Sequence, residues 1–349
     1  MMKRFFGILL VLFPVVCAWP VRANAQFIGC SVLGQSCLYD PAGGNNVKLV
    51  PPVPVGATTA SAGPFCASWV AKSNLCSPPG AADETCVSCT KAGQPIDLAT
   101  GNTDITQTDI SVPGLGGGLV LTRTWNSKLP AIQNAFSGMF GLNWRSNYEE
   151  RLVFTSPDGY LKFAQGGGAV WSFGTSVVLS SSLIYQTAAP ANDTTTIGTG
   201  DTYYTLVAKS GEKKTFDNTT GALLTIADRN GNTTALTYDS TNRLTTVADA
   251  AGRHLNFSYL SPTSPLVSTV TSDVGITLSY QYDPQGRLTL VTKPDNTTVS
   301  FEYDAQSRIT AVRDSDGKLL ESHSYDALGR GLTSSRANGV DSLTVTYPQ

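Results

Sequence analysis

The sequence has little charge and almost no histidine. Charged residues make up 14% of its 349 residues, and the net charge is −2. Proteins that bind nucleic acid through its phosphates carry a basic patch or stripe, so the composition argues against a nucleic-acid partner. The two histidines, His254 and His323, stand far apart in the chain, which does not favour a shared catalytic role.

Motifs of nucleotide binding, serine hydrolysis and histidine-metal chemistry are also missing. The carboxylates available for acid or base chemistry are Asp97, Asp104 and Asp109, followed by the adjacent pair Glu149 and Glu150. We expect that pair on a strand, where adjacent side chains point to opposite faces and cannot share a substrate. We therefore predict no catalytic residue, no metal site and no cofactor: the chain is not expected to be an enzyme.

A long apolar run occurs only at the N-terminus. Lys3 and Arg4 precede an apolar run over residues 5–19, and small residues lead up to Ala25. This order predicts a signal peptide over residues 1–25, cleaved near Ala25. The run is shorter than the roughly 20 residues of a membrane span and contains Pro14. The mature chain is expected to be secreted or held at the cell surface, with no membrane span.

Cysteines are absent after residue 89. An even number of them lies between residues 26 and 91 of a chain with an export signal, which favours disulfides, although the pairing stays open. A zinc site at the last two cysteines is the alternative, but it needs a second matched pair. Much of 26–91 is rich in Pro, Gly, Ala and Thr, so we expect little order there. The disulfide candidates are Cys30, Cys37, Cys66, Cys76, Cys86 and Cys89.

The last third of the chain repeats itself. An aromatic residue, in most units followed by Asp, returns at steps of 22, 21, 23, 21, 22 and 22 residues. A fixed period of this length indicates stacked supersecondary units. The aromatic positions are Phe216, Tyr238, Tyr259, Tyr282, Tyr303, Tyr325 and Tyr347.

Each repeat has the pattern of a β-hairpin. Leu255, Phe257 and Tyr259 alternate with polar residues, which predicts a strand with one buried face. A second apolar strand follows the Tyr-Asp pair, as at residues 288–292. Turn residues such as Asn230-Gly231 separate one unit's second strand from the next unit's first strand. We call this the inner turn and the Tyr-Asp turn the outer turn.

In four units the Asp of the outer turn is followed four residues later by Arg. A short carboxylate at the start of a turn accepts backbone N–H groups, and the Arg can pair with it. A catalytic pair needs an asymmetric environment that separates two pKa values, whereas these charges recur in identical contexts. We interpret them as structural. The set comprises Tyr238, Asp239, Arg243, Tyr282, Asp283, Arg287, Tyr303, Asp304, Arg308, Tyr325, Asp326 and Arg330.

The pattern Y-D-x-x-x-R-[LI] resembles the YD repeat of the Rhs family, which includes teneurins and the shell proteins of insecticidal toxin complexes. The resemblance implies hairpins laid side by side in one continuous sheet. With enough repeats, that sheet wraps into a hollow shell around a C-terminal cargo, often a toxin. The implied partners are further YD repeats or a C-terminal effector, on the same or a separate chain.

The segment before the repeats is similar to the domain of unknown function that precedes them in bacterial Rhs proteins. The shared motifs begin at Gln94-Pro95-Ile96-Asp97 and include a Trp-Asn-Ser after a strand; Asn143 departs from the Gly usual in the family. Its Trp125, Trp144 and Trp171 either fill a core or line a surface. Exposed tryptophans would suit sugar stacking, which leaves glycan binding as an alternative.

Together these features predict an all-β chain, in which an N-terminal β cap is followed by YD-repeat hairpins in a continuous curved sheet, a partial Rhs-type shell. A final strand over 343–347 would leave an unpaired edge. The leading hypothesis is the N-terminal, structural portion of a secreted Rhs protein; the alternative is a surface module that binds carbohydrate or protein. The expected segments are 1–25, signal; 26–91, Cys-rich; 92–173, cap; 174–215, looser strands; 216–349, repeats.

Overall fold

The computed structural model describes residues 96–134, 138–154, 160–179, 182–187 and 195–347, together with the strands assigned between residues 26 and 92. The predicted signal peptide and the cysteine side chains lie outside the described residues.

Short strands occupy part of the N-terminal segment, for which we expected little order. Five of them form an antiparallel sheet in sequence order, and the next two form a hairpin. Their bounds are β1 Gln26–Val32, β2 Gln35–Asp40, β3 Asn46–Val50, β4 Trp69–Val70, β5 Leu75–Cys76, β6 Lys91–Ala92 and β7 Ile96–Asp97.

The cap is built on a three-stranded sheet in the order β10-β9-β8. Its central strand has Leu119, Leu121, Arg123 and Trp125 at alternate positions and is buried along most of its length. The cap comprises β8 Asp104–Val112, a 3-10 turn Leu115–Gly117, β9 Leu119–Asn126, the short helix α1 Ala131–Asn134 and β10 Trp144–Ser146.

All later strands belong to one 19-stranded sheet, in which each strand pairs antiparallel with the one before it. The all-β prediction and the row of hairpins are confirmed. The first strands, which include the two hairpins before the repeats, are β11 Arg151–Val153, β12 Leu161–Ala164, β13 Val170–Leu179, β14 Ser182–Thr187, β15 Thr196–Gly198, β16 Tyr203–Val207, β17 Lys213–Asp217 and β18 Leu223–Ala227. The remainder are β19 Thr233–Tyr238, β20 Leu244–Ala248, β21 His254–Tyr259, β22 Val267–Ser272, β23 Thr277–Tyr282, β24 Leu288–Thr292, β25 Thr298–Tyr303, β26 Ile309–Arg313, β27 Leu319–Tyr325, β28 Gly331–Arg336 and β29 Val340–Thr344.

Within the repeats the period-two pattern has its expected effect. In β21, Leu255 and Phe257 are buried while Asn256 and Ser258 are exposed. A β-bulge lies next to the tyrosine of each YD unit, as between Ser258 and Tyr259. Because a bulge bends a strand and increases its twist, a bulge in every unit contributes to the curvature of the row.

The beginning of the large sheet is strongly rolled. The backbone N–H of Leu152 in β11 donates to the carbonyl of Gly221, in the turn that leads into β18, over 2.9 Å. In a flat sheet β11 and β17 would stand about 29 Å apart, at about 4.8 Å per strand. The ladder itself stays open, since β29 pairs only with β28 among the described residues.

The cap covers the apolar face of the repeats. Phe140 packs against Tyr280 with ring centroids 4.8 Å apart, and Trp144 meets Phe301 edge-on at 5.1 Å. Cap and repeat side chains thereby form one continuous hydrophobic cluster. Burial of this apolar face is the main source of stability for both parts, because neither has a second apolar layer of its own among the described residues.

Candidate functional site

The outer turns are organised by their Asp and Arg residues. Asp304 accepts the backbone N–H groups of Gln306 and Arg308 on Oδ1, each at 2.9 Å, and the Arg308 Nε on Oδ2 at 2.6 Å. One carboxylate therefore closes the turn and holds the guanidinium at its exit. The same contacts recur in the pairs Asp239–Arg243, Asp283–Arg287 and Asp326–Arg330.

The tyrosines connect each unit to its predecessor. Tyr303 donates its hydroxyl to the carbonyl of Leu288 at 2.7 Å, and its ring lies 5.0 Å from the guanidinium carbon of Arg287. Arg287 also donates to the carbonyl of Asp304. The hydroxyls of Tyr238, Tyr259, Tyr282, Tyr325 and Tyr347 bond backward in the same way. We call this set the Tyr-Asp-Arg ladder.

The ladder shifts the pKa values of its members. The Thr241 hydroxyl, with N–H donors from Arg243, holds the pKa of Asp239 well below its usual range. Burial raises the pKa values of Tyr303 and Tyr325 above theirs. The Asp239 carboxylate therefore stays charged and the Tyr303 and Tyr325 phenols stay neutral across the physiological range, which suits hydrogen bonding rather than proton transfer.

Two features of the ladder were not predicted. At the outer turn after Tyr259, where the sequence already shows Leu260 in place of Asp, Arg243 reaches across to the carbonyls of Ser261 and Ser264. The inner turns also use carboxylates, since Asp249 accepts two backbone N–H groups and the Arg253 guanidinium. The signal in the sequence was an Asp two residues before each of these turns, whereas our prediction used only the turn residues themselves. The turns are Asn230-Gly231, Ala251-Gly252 and Asp316-Gly317.

A buried ion pair within the cap accepts a hydrogen bond from the repeats. Both Asp109 oxygens accept from the Arg123 guanidinium, and the Tyr280 hydroxyl donates to Asp109 at 2.8 Å. The Arg123 and Asp109 side chains are 1% and 4% exposed. The Arg123 guanidinium carbon also lies 4.6 Å from the Trp144 ring. Burial lowers the pKa of Arg123, but Asp109 outweighs that effect, so its pKa stands above the usual value.

The remaining carboxylate candidates have separate partners. Asp97 closes a turn by accepting from Thr100, and Asp104 is buried in the ladder of β8. Our placement of Glu149 and Glu150 on a strand was wrong, because they lie between β10 and β11. Glu149 accepts the N–H groups of Met139 and Ser146, and Glu150 binds Lys214 at 2.5 Å. The structure brings none of these candidates together as a pair.

A cavity of about 240 Å³ separates the cap from the outer turns near Tyr259. Its polar lining includes Arg145, Glu149 and Arg243. Glu149 is engaged by backbone N–H groups, and Arg243 by its own turn. These groups hold the cap loop in place.

The histidines are in different environments. His254 pairs with Asp273 at 2.6 Å at a half-exposed site. His323 is buried, and Glu321 Oε2 lies 3.5 Å from its Nε2. Among the described residues no group of three or more His, Cys, Asp or Glu side chains could hold a metal ion. In the same part of the chain, no helix is long and apolar enough to cross a membrane.

Two family models match the two parts of the chain. The one described as RHS Repeat matches residues 218–254, 266–298 and 282–319. This chain contains RHS repeats. The second, a domain of unknown function (DUF6531), matches residues 93–173 and covers the cap of the RHS-repeat protein. The unmatched residues 255–265 contain the outer turn at Leu260 that lacks the Asp and Arg pair.

Solved structures similar to this chain include complexes of TcdB2 with TccC3 and a Tc holotoxin pore. The crystal structure of TcdB2-TccC3-TEV is 16% identical over 67% of this chain and 14% of its own, with a TM-score of 0.29. A structure of the Photorhabdus luminescens Tc holotoxin pore is 13% identical over 89% of this chain and 17% of its own, with a TM-score of 0.27. No curated protein matches the chain. The chain of this protein therefore spans less than a fifth of the length of either toxin chain.

Proposed function

We propose that this chain is a non-enzymatic, structural portion of a secreted RHS-repeat protein, the N-terminal part of a β shell around a C-terminal toxin or effector. The observation that carries the proposal is the sheet itself. Its strands follow one another in sequence order, with the apolar face inward under the cap. Such a sheet is extended by each added hairpin without rearrangement of the earlier ones.

The chemistry of the ladder supports a scaffold. The Asp and Arg of an outer turn are used within that turn or on the next one, as Asp304 and Arg308 illustrate. The same bonds recur unit after unit, so no one turn has the asymmetric environment of a catalytic centre. We therefore assign the Tyr-Asp-Arg ladder to holding adjacent units in register. A screen for hydrolase activity in the chain and its Asp97→Ala and Asp109→Ala variants should detect none; activity lost in either variant would oppose this assignment.

Isolation of the native protein tests the shell proposal. Reading the gene past the codon for Gln349 and recovering the protein from the culture medium with an antibody to the repeats gives its full composition. We expect further YD repeats and a protease-resistant C-terminal domain, on this polypeptide or on a second chain that co-purifies. Recovery of this chain alone, with no companion, would refute the shell proposal.

The alternative, a carbohydrate-binding surface module, cannot use Trp125 or Trp144, and of the three tryptophans named for it only Trp171 keeps an accessible part. Trp125 and Trp144 are each 0% exposed, and their rings pack inside the cap and against the repeats. Sugar stacking needs an accessible aromatic face. We expect no retention of the chain by a panel of immobilised polysaccharides. Retention by any of them would favour the binding-module hypothesis.

A further inference from the structure

One residue departs from the repeat at a position that is otherwise aliphatic. The strand after each outer turn begins with a residue that pairs with the aromatic residue of that unit. In five units it is Leu, Val or Ile and is at most 4% exposed; in the sixth it is Gly331. The pairs are Phe216–Leu223, Tyr238–Leu244, Tyr259–Val267, Tyr282–Leu288, Tyr303–Ile309 and Tyr325–Gly331.

The backbone does not require a glycine at this position. Gly331 is absent from the glycines with positive φ, so its conformation is open to any residue. Its carbonyl accepts the Tyr347 hydroxyl at 2.8 Å, as the carbonyl of Ile309 accepts that of Tyr325 at 2.8 Å. Gly331 therefore keeps the ladder contacts of its equivalents and differs from them only in lacking a side chain.

The missing side chain is replaced from the cap. A Cβ atom on Gly331 would stand 2.6 Å from Thr103 Oγ1 and 3.0 Å from Ile96 Cγ1. Ile96 is 0% exposed. The backbone N–H of Gly331 donates to the carbonyl of Gly101 at 2.9 Å. Residues 96–103, which we call the strap, thus insert Ile96 where the other units bury their own aliphatic side chain.

The strap has a preformed shape that recurs elsewhere in the chain. Asp97 Oδ1 accepts from Ala99 N and from the backbone and hydroxyl of Thr100. The turn over residues 217–221 has the same D-x-x-T-G sequence and the same bonds. There the carbonyl of Gly221 accepts the N–H of Leu152 in β11. In both places the glycine carbonyl of this turn docks onto the backbone of another strand.

We propose that Gly331 is the specificity-determining residue that makes its unit the docking unit for the strap. The slot it leaves fits an extended segment that presents an aliphatic, β-branched side chain directly before a D-x-x-T-G turn. A Leu, Val or Ile at this position would exclude Ile96, so the strap cannot dock one unit earlier. Gly331 thereby sets the register of the cap on the row of repeats, whatever that row is joined to.

Hydrogen-deuterium exchange on the full chain, read in peptides that cover the strap and residues 326–336, tests the proposal. Gly331→Val and Ile96→Ala should each speed exchange in these peptides by at least about tenfold, because each removes the complementary packing. The double variant Ile96→Ala/Gly331→Val keeps the number of side-chain carbons at the contact, but its new Cβ still meets Thr103 Oγ1. Exchange should therefore be slower than in Gly331→Val alone without returning fully to the wild-type rate. Ile309→Val, at the equivalent position of the preceding unit, is the control and should leave the strap unchanged.

Two results would overturn the proposal. Unchanged exchange in Gly331→Val would show that the slot does not select the strap, and a double variant no better than Gly331→Val alone would show that the contact is not complementary. Peptides from β21 to β24 report global unfolding in the same experiment. If Gly331→Val destabilises them too, Ile96→Ala alone decides: faster exchange confined to the two test peptides supports the slot, and unchanged exchange refutes it.

Discussion

Replacement of Arg123 by Met should destabilise this protein more than loss of any exposed ion pair. Arg123 and Asp109 are 1% and 4% exposed, so the substitution leaves a carboxylate buried opposite an apolar side chain. Removal of one partner from a buried pair costs about 3–5 kcal/mol. Part of this loss is the contact between the guanidinium and the Trp144 ring.

The magnitude can be measured by urea unfolding followed through tryptophan fluorescence, since Trp144 lies in the interface. With a slope of about 3 kcal/mol/M, a loss of about 4 kcal/mol lowers the midpoint by about 1.3 M. The control is Arg313→Met, which breaks the ion pair with Glu302. The side chains of Arg313 and Glu302 are 36% and 53% exposed. An exposed pair contributes at most about 1 kcal/mol, so this midpoint should fall by less than about 0.3 M.

A double replacement separates buried charge from lost packing. Arg123→Met/Asp109→Leu removes both charges, and a buried pair replaced by apolar residues of similar volume is often neutral or stabilising. The double variant should regain part of what Arg123→Met loses, because the buried Tyr280 hydroxyl then lacks its acceptor. An Arg123→Met midpoint within about 0.3 M of wild type would refute the buried-pair argument, as would a double variant much less stable than the single one.

Three further outcomes follow from the ladder and the rolled edge. Tyr325→Phe, which loses the bond to the Ile309 carbonyl, should cost about 1 kcal/mol in urea unfolding; Tyr203→Phe, at 49% exposure, should cost nothing measurable. Gly221→Ala places a Cβ 2.0 Å from the Leu152 carbonyl oxygen, so it should lower the free energy of unfolding by well over the roughly 1–2 kcal/mol that a left-handed backbone costs a residue with a side chain. Gly231→Ala has nothing within 4 Å of the new Cβ and should cost only that backbone strain. The folded-state pKa of Asp239 is depressed, so Asp239 stabilises the fold above its unfolded pKa of about 3.9, and this stabilisation is lost as pH falls further. Asp239→Asn should therefore flatten the decline of the urea midpoint below about pH 4. A decline as steep as in wild type would oppose this.

Much of the repeat architecture follows from local pattern. Alternation such as Leu255, Phe257 and Tyr259 selects one buried face, and the turn residues between apolar runs set hairpin boundaries. Since each unit contacts mainly its neighbours, the period alone implies strand order. The candidate carboxylates were harder to place. Glu149 and Glu150 stand next to an apolar run, but a turn places them before β11, and no periodicity marked that turn.

The all-β class and the row of hairpins could be derived from the sequence, because both depend on residues close together in the chain. Tertiary structure alone decided the roll that brings Leu152 to Gly221, the ion pair that Tyr280 shares with the cap, and the slot at Gly331 filled by Ile96. Each joins residues far apart in sequence, and which distant groups meet is set by shape and burial over the whole molecule. The sequence shows that position 331 holds a glycine where the other units have an aliphatic residue. It does not show that Ile96 fills the space left there.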